Sequence, residues 1–109
     1  MAEQFHSKIR WGKPVDELKA FDAGLVEAKD EKNGNTAIHL AAQNGHLEIT
    51  KWLVSDMKCN INSQNGKGQT ALHMSIEYDM YEQTEFLLGA GADKDAKNKD
   101  GHAAITGID

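Results

Sequence analysis

The string TAIHLAAQNGH that starts at Thr36 returns as TALHMSIEYDM starting at Thr70, 34 residues further on. No other feature constrains the fold as much. A unit of about 33 residues holds too little apolar surface to bury a core of its own, so copies must stack, each closing the face of the one before. Gly34, Gly68 and Gly101 mark the same turn in successive copies, the first interval being 34 residues and the second 33. The extra residue falls within 55–62, where it is expected to bulge the loop without shifting the stack.

Within one copy the patterning predicts a turn, a short helix, a tight turn and a longer helix. Thr36 fits the N-cap of a helix over 36–43, because its hydroxyl can satisfy an amide left open at the helix start. Gly45 supplies the left-handed residue that ends it. A second helix is expected over 46–54, with Leu47, Ile49, Leu53 and Val54 apolar, and the next copy repeats the pair over 70–78 and 80–88. Counting back by the same period places Phe5, His6, Ile9 and Gly12 under Ile38, His39, Ala42 and Gly45. Residues 2–11 therefore read as a first helix, with Phe5 and Ile9 one turn apart on its buried face. Pro14 suits the first turn of a helix containing Val15, Leu18 and Phe21. Glu3, Gln4 and Lys8 give this copy the polar outer side of a solenoid cap. A fourth copy holds a turn and most of one helix, with Ile105 and Ile108 as its last apolar residues, and reads as a cut from a longer protein.

These strings carry a family signature. Thr36, Ala37, Ile38, His39 and Ala41 follow TPLHxA with alanine in place of proline, and Asn44, Gly45, His46, Leu47 and Glu48 continue the pattern. Gly91, Ala92 and Asp93 look like the turn that closes a repeat. Over nearly its whole length the chain resembles the ankyrin-repeat family. The resemblance implies an all-α solenoid of stacked helix-turn-helix units with short hairpin connections. On that pattern 1–109 is a single domain, with a degenerate capping repeat over 1–30, repeats over 31–64 and 65–97, and a partial repeat over 98–109.

It also implies a module that binds another protein and carries no catalysis, cofactor or metal. Family members bind through turn tips and the inner ends of the first helices. The turn tips are here Lys32, Asn33, Asn35, Lys67, Gln69, Lys99, Asp100 and His102, and the inner helix ends are Arg10, Trp11, Gln43, Asn44, Glu77 and Tyr78. Trp11 and Tyr78 stand out, since exposed aromatics are enriched among binding hot spots. Their equivalent positions two repeats apart, flanking Asn44, place them on one wall roughly 20 Å apart. The layout is similar to that of the short myotrophin-like ankyrin proteins, which implies the actin-filament capping protein as a candidate partner. A detached ankyrin region of a larger signalling or scaffold protein is the alternative, and a metal protein or enzyme is the alternative from another class.

The residues themselves argue against that last class. His6, His39 and His73 hold equivalent positions, but a ladder of parallel helices keeps side chains apart, whereas zinc needs its ligands about 2 Å from one ion. Cys59 has no histidine near it in sequence to make a nucleophilic pair, and no phosphate-binding loop, GxSxG or HExxH is present. A net charge of −5 offers no general attraction to nucleic acid or anionic lipid. A single cysteine fits the reducing cytoplasm or nucleus, and the expected state is a monomer. The third copy departs furthest from the pattern: Met74, Ser75 and Ile76 replace LAA, Asp79 takes the place of Gly45, and Gln83 that of Ile49. It is expected to be the softest.

Overall fold

The computed structural model describes residues 2–104, so the expectations for Ile105 and Ile108 lie outside the described residues. Among the described residues six α-helices follow one another in pairs. They are α1 (Ala2–Arg10), α2 (Val15–Leu18), α3 (Ala37–Asn44), α4 (Leu47–Lys51), α5 (Ala71–Glu77) and α6 (Tyr81–Gly89). The first helices α1, α3 and α5 pack side by side, and α4 and α6 lie behind them against their own partners and each other. This is the stacked helical solenoid that the repeat period requires. Phe5, Ile9, Ile38, Leu53, Leu72 and Leu87 are almost fully buried along the seam, each stabilising the stack by about 1.5–3 kcal/mol.

The first copy is shorter in its second half than the sequence pattern suggests. Pro14 sits at the N-cap of α2 and not in its first turn, and α2 closes at Leu18. Phe21 lies beyond the helix and packs its ring on Phe5, centroids 5.4 Å apart. A 3-10 turn, Ala23–Glu27, then completes the unit, started by Asp22, whose carboxylate accepts the Gly24 N–H at 2.9 Å.

The extra residue of the first interval does not simply bulge a loop. After α4 the backbone widens over Trp52–Asp56 into a π turn, with Met57 N–H donating to Trp52 O at 3.0 Å. The closing bond is conserved between copies: Cys59 N–H reaches Leu53 O at 3.0 Å, and Ala92 N–H reaches Leu87 O at 2.9 Å. One more residue is enclosed in the first case than in the second. Lys58 then takes the left-handed conformation (φ 54°) that Gly91 takes one copy later. A wide turn absorbs an insertion locally because it adds a residue without reversing the direction of the helix.

The turn between paired helices explains where glycine is needed. Gly12 and Gly45 have φ of 70° and 73°, and each is covered by a side chain of the next copy. A Cβ on Gly12 would lie 2.5 Å from His46 Cε1, and one on Gly45 would lie 2.9 Å from Met80 Sδ. Asp79 holds the third such turn at φ 58°. Gln83, in the place of Ile49, is likewise no flaw. Its amide oxygen accepts the His46 and Leu47 N–H groups at 3.1 and 2.9 Å, and its nitrogen donates to Thr50 Oγ1 at 2.7 Å. The buried glutamine thus gives the start of α4 a second acceptor from the following copy, beside the Ala41 and Gly45 oxygens that the same two N–H groups reach at 3.0 and 3.2 Å.

Candidate functional site

One side chain folds each hairpin tip. Asp30 Oδ1 accepts the N–H groups of Asn33 and Gly34 at 2.7 and 2.9 Å and, more weakly, that of Asn35 at 3.4 Å. Asn65 Oδ1 accepts those of Lys67 and Gln69 at 2.9 and 3.0 Å. Asn98 Oδ1 does the same for Asp100 and His102, both at 3.0 Å. Burial opposes ionisation of Asp30, but the three amides and the Arg10 guanidinium outweigh it and hold the carboxyl below its ordinary range. The tips are tied to one another as well: Gly66 N–H donates to Asn33 O at 2.8 Å, and Lys99 N–H to Lys67 O at 2.9 Å.

The equivalent histidines fix the tips to the helices. Thr36 N–H and Thr70 N–H each donate to the Nδ1 of His39 and His73 at 3.1 Å. That puts the ring proton on Nε2, which donates to Gln69 O at 2.7 Å from His39 and to His102 O at 3.0 Å from His73. His6 makes the corresponding bond to Ala28 O at 3.1 Å. Burial lowers the pKa of His6 and of His39, against the pull of those carbonyl bonds.

Between the first two tips and the ends of α3 and α5 lies a groove of about 690 Å³. It gathers Lys32, Asn33, Asn35, Gln43, Lys67, Gln69, Glu77 and Tyr78 from the sequence-predicted set. Asn35 needs correction as a contact residue. Its side chain is 4% exposed and its Oδ1 accepts from Asn65 Nδ2 at 2.8 Å, so it joins adjacent turns. Gln69 Nε2 donates to Glu77 Oε1 at 3.0 Å, which orients both along the wall. Tyr78 is 44% exposed beside them. Lys29, Asp30, Glu31 and Met74 also line the groove. Met74 had a signal in its departure from the leucine pattern.

The remaining predicted residues are elsewhere. Arg10 lines a neighbouring groove with Lys32 and Asn33 and faces Asp30 at 3.5 Å. Trp11, 78% exposed, borders a hollow at the N-terminal end with Glu3, Lys8 and Phe21. Trp11 thus borders a different hollow from Tyr78, with residues of the first copy and not with the hairpin groove. Asn44 turns its Nδ2 back to Leu40 O at 2.8 Å. Lys99 and Asp100 are exposed at the third tip, and His102 lines a separate groove towards the C-terminal end.

Among the described residues no group of three or more His, Cys, Asp or Glu side chains could hold a metal ion, and no helix is long and apolar enough to cross a membrane. Burial, with Glu27 beside it, pushes the Cys59 thiol up to about 12, which leaves it protonated and a poor nucleophile at neutral pH. What the surface offers is a rigid groove with mixed charge and one half-exposed aromatic.

Comparison with known proteins agrees with the architecture. The family profile described as ankyrin repeats, in three copies, matches residues 11–98. NF-kappa-B inhibitor zeta of Homo sapiens is 35% identical over 92 residues, which cover 77% of this chain and 13% of that protein. Alpha-latroinsectotoxin-Lt1a of Latrodectus tredecimguttatus is 31% identical over 75 residues, 69% of this chain and 5% of the toxin. The NF-kappa-B p105 subunit of Rattus norvegicus is 35% identical over 68 residues, 61% of this chain and 7% of the relative. The chain thus spans a small part of the length of each.

Proposed function

Since the chain belongs to the ankyrin-repeat family, we propose that it is a non-catalytic protein-interaction module whose partner lies in the groove between the first two hairpin tips and the ends of α3 and α5. One observation carries this reading. The groove is built from backbone-locked turns, so Lys32, Asn33 and Lys67 are presented at fixed spacing above Gln43, Glu77 and Tyr78. Rigid presentation lowers the ordering cost of binding, and a half-exposed tyrosine in such a groove is a suitable anchor.

For the partner, the printed names of two relatives point first to NF-kappa-B. The myotrophin-like layout points to the actin-filament capping protein, but among the residues that carry it Phe5 and Leu18 are buried in the core. They serve the fold and carry no information about a binding surface. The function is therefore proposed from the groove, and both proteins are assayed as ligands.

The test is a titration of each against the chain and against Tyr78→Ala and Lys67→Glu. Binding of a true groove ligand falls by tenfold or more in each variant, while thermal stability changes by under about 1 kcal/mol because both side chains are exposed. A ligand that binds both variants as well as the parent chain overturns the groove as the site. A photo-crosslinking residue at Tyr78 and another at exposed Lys51 on α4 then read the docking side directly.

A further inference from the structure

Three asparagines are each followed by glycine: Asn33, Asn44 and Asn65. That pair has a chemistry of its own. The main-chain nitrogen of the glycine can attack the asparagine Cγ, because no Cβ on the following residue obstructs the approach. An N–Cγ bond forms, the Cγ–Nδ2 bond breaks, and ammonia leaves with the proton of the glycine N–H. Water then opens the cyclic imide at either of its carbonyls, giving aspartate or, with one more carbon in the main chain, isoaspartate. The reaction needs a side-chain amide free to turn towards the main chain and a glycine N–H that its acceptor can release.

The fold denies both at two of the three pairs. Asn65 is 9% exposed, its Oδ1 accepts from Lys67 and Gln69, and its Nδ2 donates to Asn35 Oδ1 at 2.8 Å. The Gly66 N–H beside it is tied across the stack to Asn33 O at 2.8 Å. Asn44 Nδ2 donates to Leu40 O at 2.8 Å, and the Gly45 N–H closes α3 on the Ala41 and Ala42 oxygens. Asn33 differs. It is exposed, and no hydrogen bond from the described residues holds its side-chain amide. The Gly34 N–H is held by Asp30 alone, through Oδ1 at 2.9 Å and the main-chain O at 3.2 Å. That Oδ1 is shared with the N–H groups of Asn33 and Asn35.

The third tip shows that the product suits the fold. Asp100 and Gly101 stand in the register of Asn33 and Gly34, with Gly101 at φ 81° against 71° for Gly34. Aspartate at 33 repeats that pair. Isoaspartate instead lengthens the main chain beside the oxygen that receives the Gly66 N–H.

We infer that Asn33 is a modification site, the place where the folded chain deamidates, and that Asp30 sets the rate by holding the Gly34 N–H. The reaction adds a carboxylate beside Lys32 on the groove wall. Its effect on a ligand rests on the groove being the binding site; the modification itself does not.

The folded chain is incubated in mildly alkaline buffer at body temperature beside a sample in urea, and peptide mapping by mass spectrometry follows the gain of one mass unit at each pair. In urea the three pairs convert at similar rates. In the folded chain Asn33 converts at least fivefold faster than Asn44 or Asn65. Isomerisation of Asp100 leaves the mass unchanged and does not interfere. Asp30→Ala speeds conversion of Asn33 at least tenfold and leaves Asn44 and Asn65 as they were. If a melting curve shows that this variant does not fold, Asp30→Asn keeps a neutral oxygen in the place of Oδ1, and a smaller rise confined to Asn33 is expected. Asn44 or Asn65 converting before or alongside Asn33 in the folded parent overturns the site, as does an Asn33 that stays intact there while the urea sample converts. An unchanged rate at Asn33 in the folded variant overturns the role of Asp30.

Discussion

Replacing Asp79 with glycine tests the account of the helix-pair turns. Asp79 holds φ 58°, the geometry of Gly12 and Gly45. A side chain in that left-handed region costs about 1–2 kcal/mol, with aspartate at the low end because it tolerates the conformation. Glycine removes the cost but gives the unfolded chain more freedom, which takes back about 0.4–1 kcal/mol. Asp79→Gly is therefore expected to stabilise by about 0.5 kcal/mol and to raise Tm by about 2–4 °C. The reverse change in an equivalent turn has a different size. Gly45→Asp adds the same conformational cost and also sets a Cβ 2.9 Å from Met80 Sδ, an overpacking of about 1–3 kcal/mol. Its total is about 2–4 kcal/mol. Gly12→Asp is costlier still, about 3 kcal/mol or more, since the new Cβ would lie 2.5 Å from His46 Cε1. That ring cannot swing away without breaking its 2.9 Å bond to Arg10 O. Urea melts at constant m-value measure all three. If Gly45→Asp costs no more than about 1 kcal/mol, the conformation alone accounts for the glycine and the covered seat is refuted.

Other changes test separate contacts. The pKa of His6 and of His39 is lowered by folding from 6.5, so the unfolded chain binds more protons in acid. Their contribution is whole above about pH 6.5 and is lost as pH falls through the folded-state values, with a slope approaching about 2.7 kcal/mol per pH unit if both titrate together; denaturant melts from pH 8 to 4 that show no fall would contradict it. Gln83→Leu removes the cross-copy bonds to the His46 and Leu47 N–H groups and to Thr50 Oγ1, while the two amides keep Ala41 O and Gly45 O and the hydroxyl keeps His46 O; it is expected to cost about 1 kcal/mol, against near neutrality if the site is simply apolar. Deleting Ser55 shortens the π turn to the spacing of the next copy and is expected to change stability by under about 1 kcal/mol, with loss of cooperative unfolding as the contrary result. Trp11→Ala, at a side chain 78% exposed, is expected to alter stability by under about 0.5 kcal/mol in the same melts.

The helical pairs were legible because they rest on local signals: Thr36 and Thr70 at helix starts, Gly45 at a helix end, and apolar residues at helical spacing. Those signals act within a turn of the chain, so one sequence suffices to see them. What lay outside that range was set by neighbours across the stack. Gln83 reads as polar drift until the amides it meets at His46 and Leu47 are known. Asn35 reads as a turn-tip residue, but the Asn65 amide thirty residues on draws it inward. The inserted residue could be bracketed by register alone, yet whether helix or loop absorbs it depends on the bond from Cys59 to Leu53 being kept. Trp11 shares a register position with Tyr78, but it belongs to the end copy, and equivalence in number did not give equivalence in surroundings.

Four of the bonds between copies end on main-chain oxygens: His39 on that of Gln69, His73 on that of His102, Gly66 on that of Asn33 and Lys99 on that of Lys67. Every residue type, whatever its side chain, offers the same main-chain carbonyl. These four joints of the solenoid are therefore blind to the identity of the residues that supply the acceptor. Positions 33, 67, 69 and 102 can exchange side chains freely under selection while the scaffold keeps its register, so recognition in this molecule can change at a speed that its architecture does not limit.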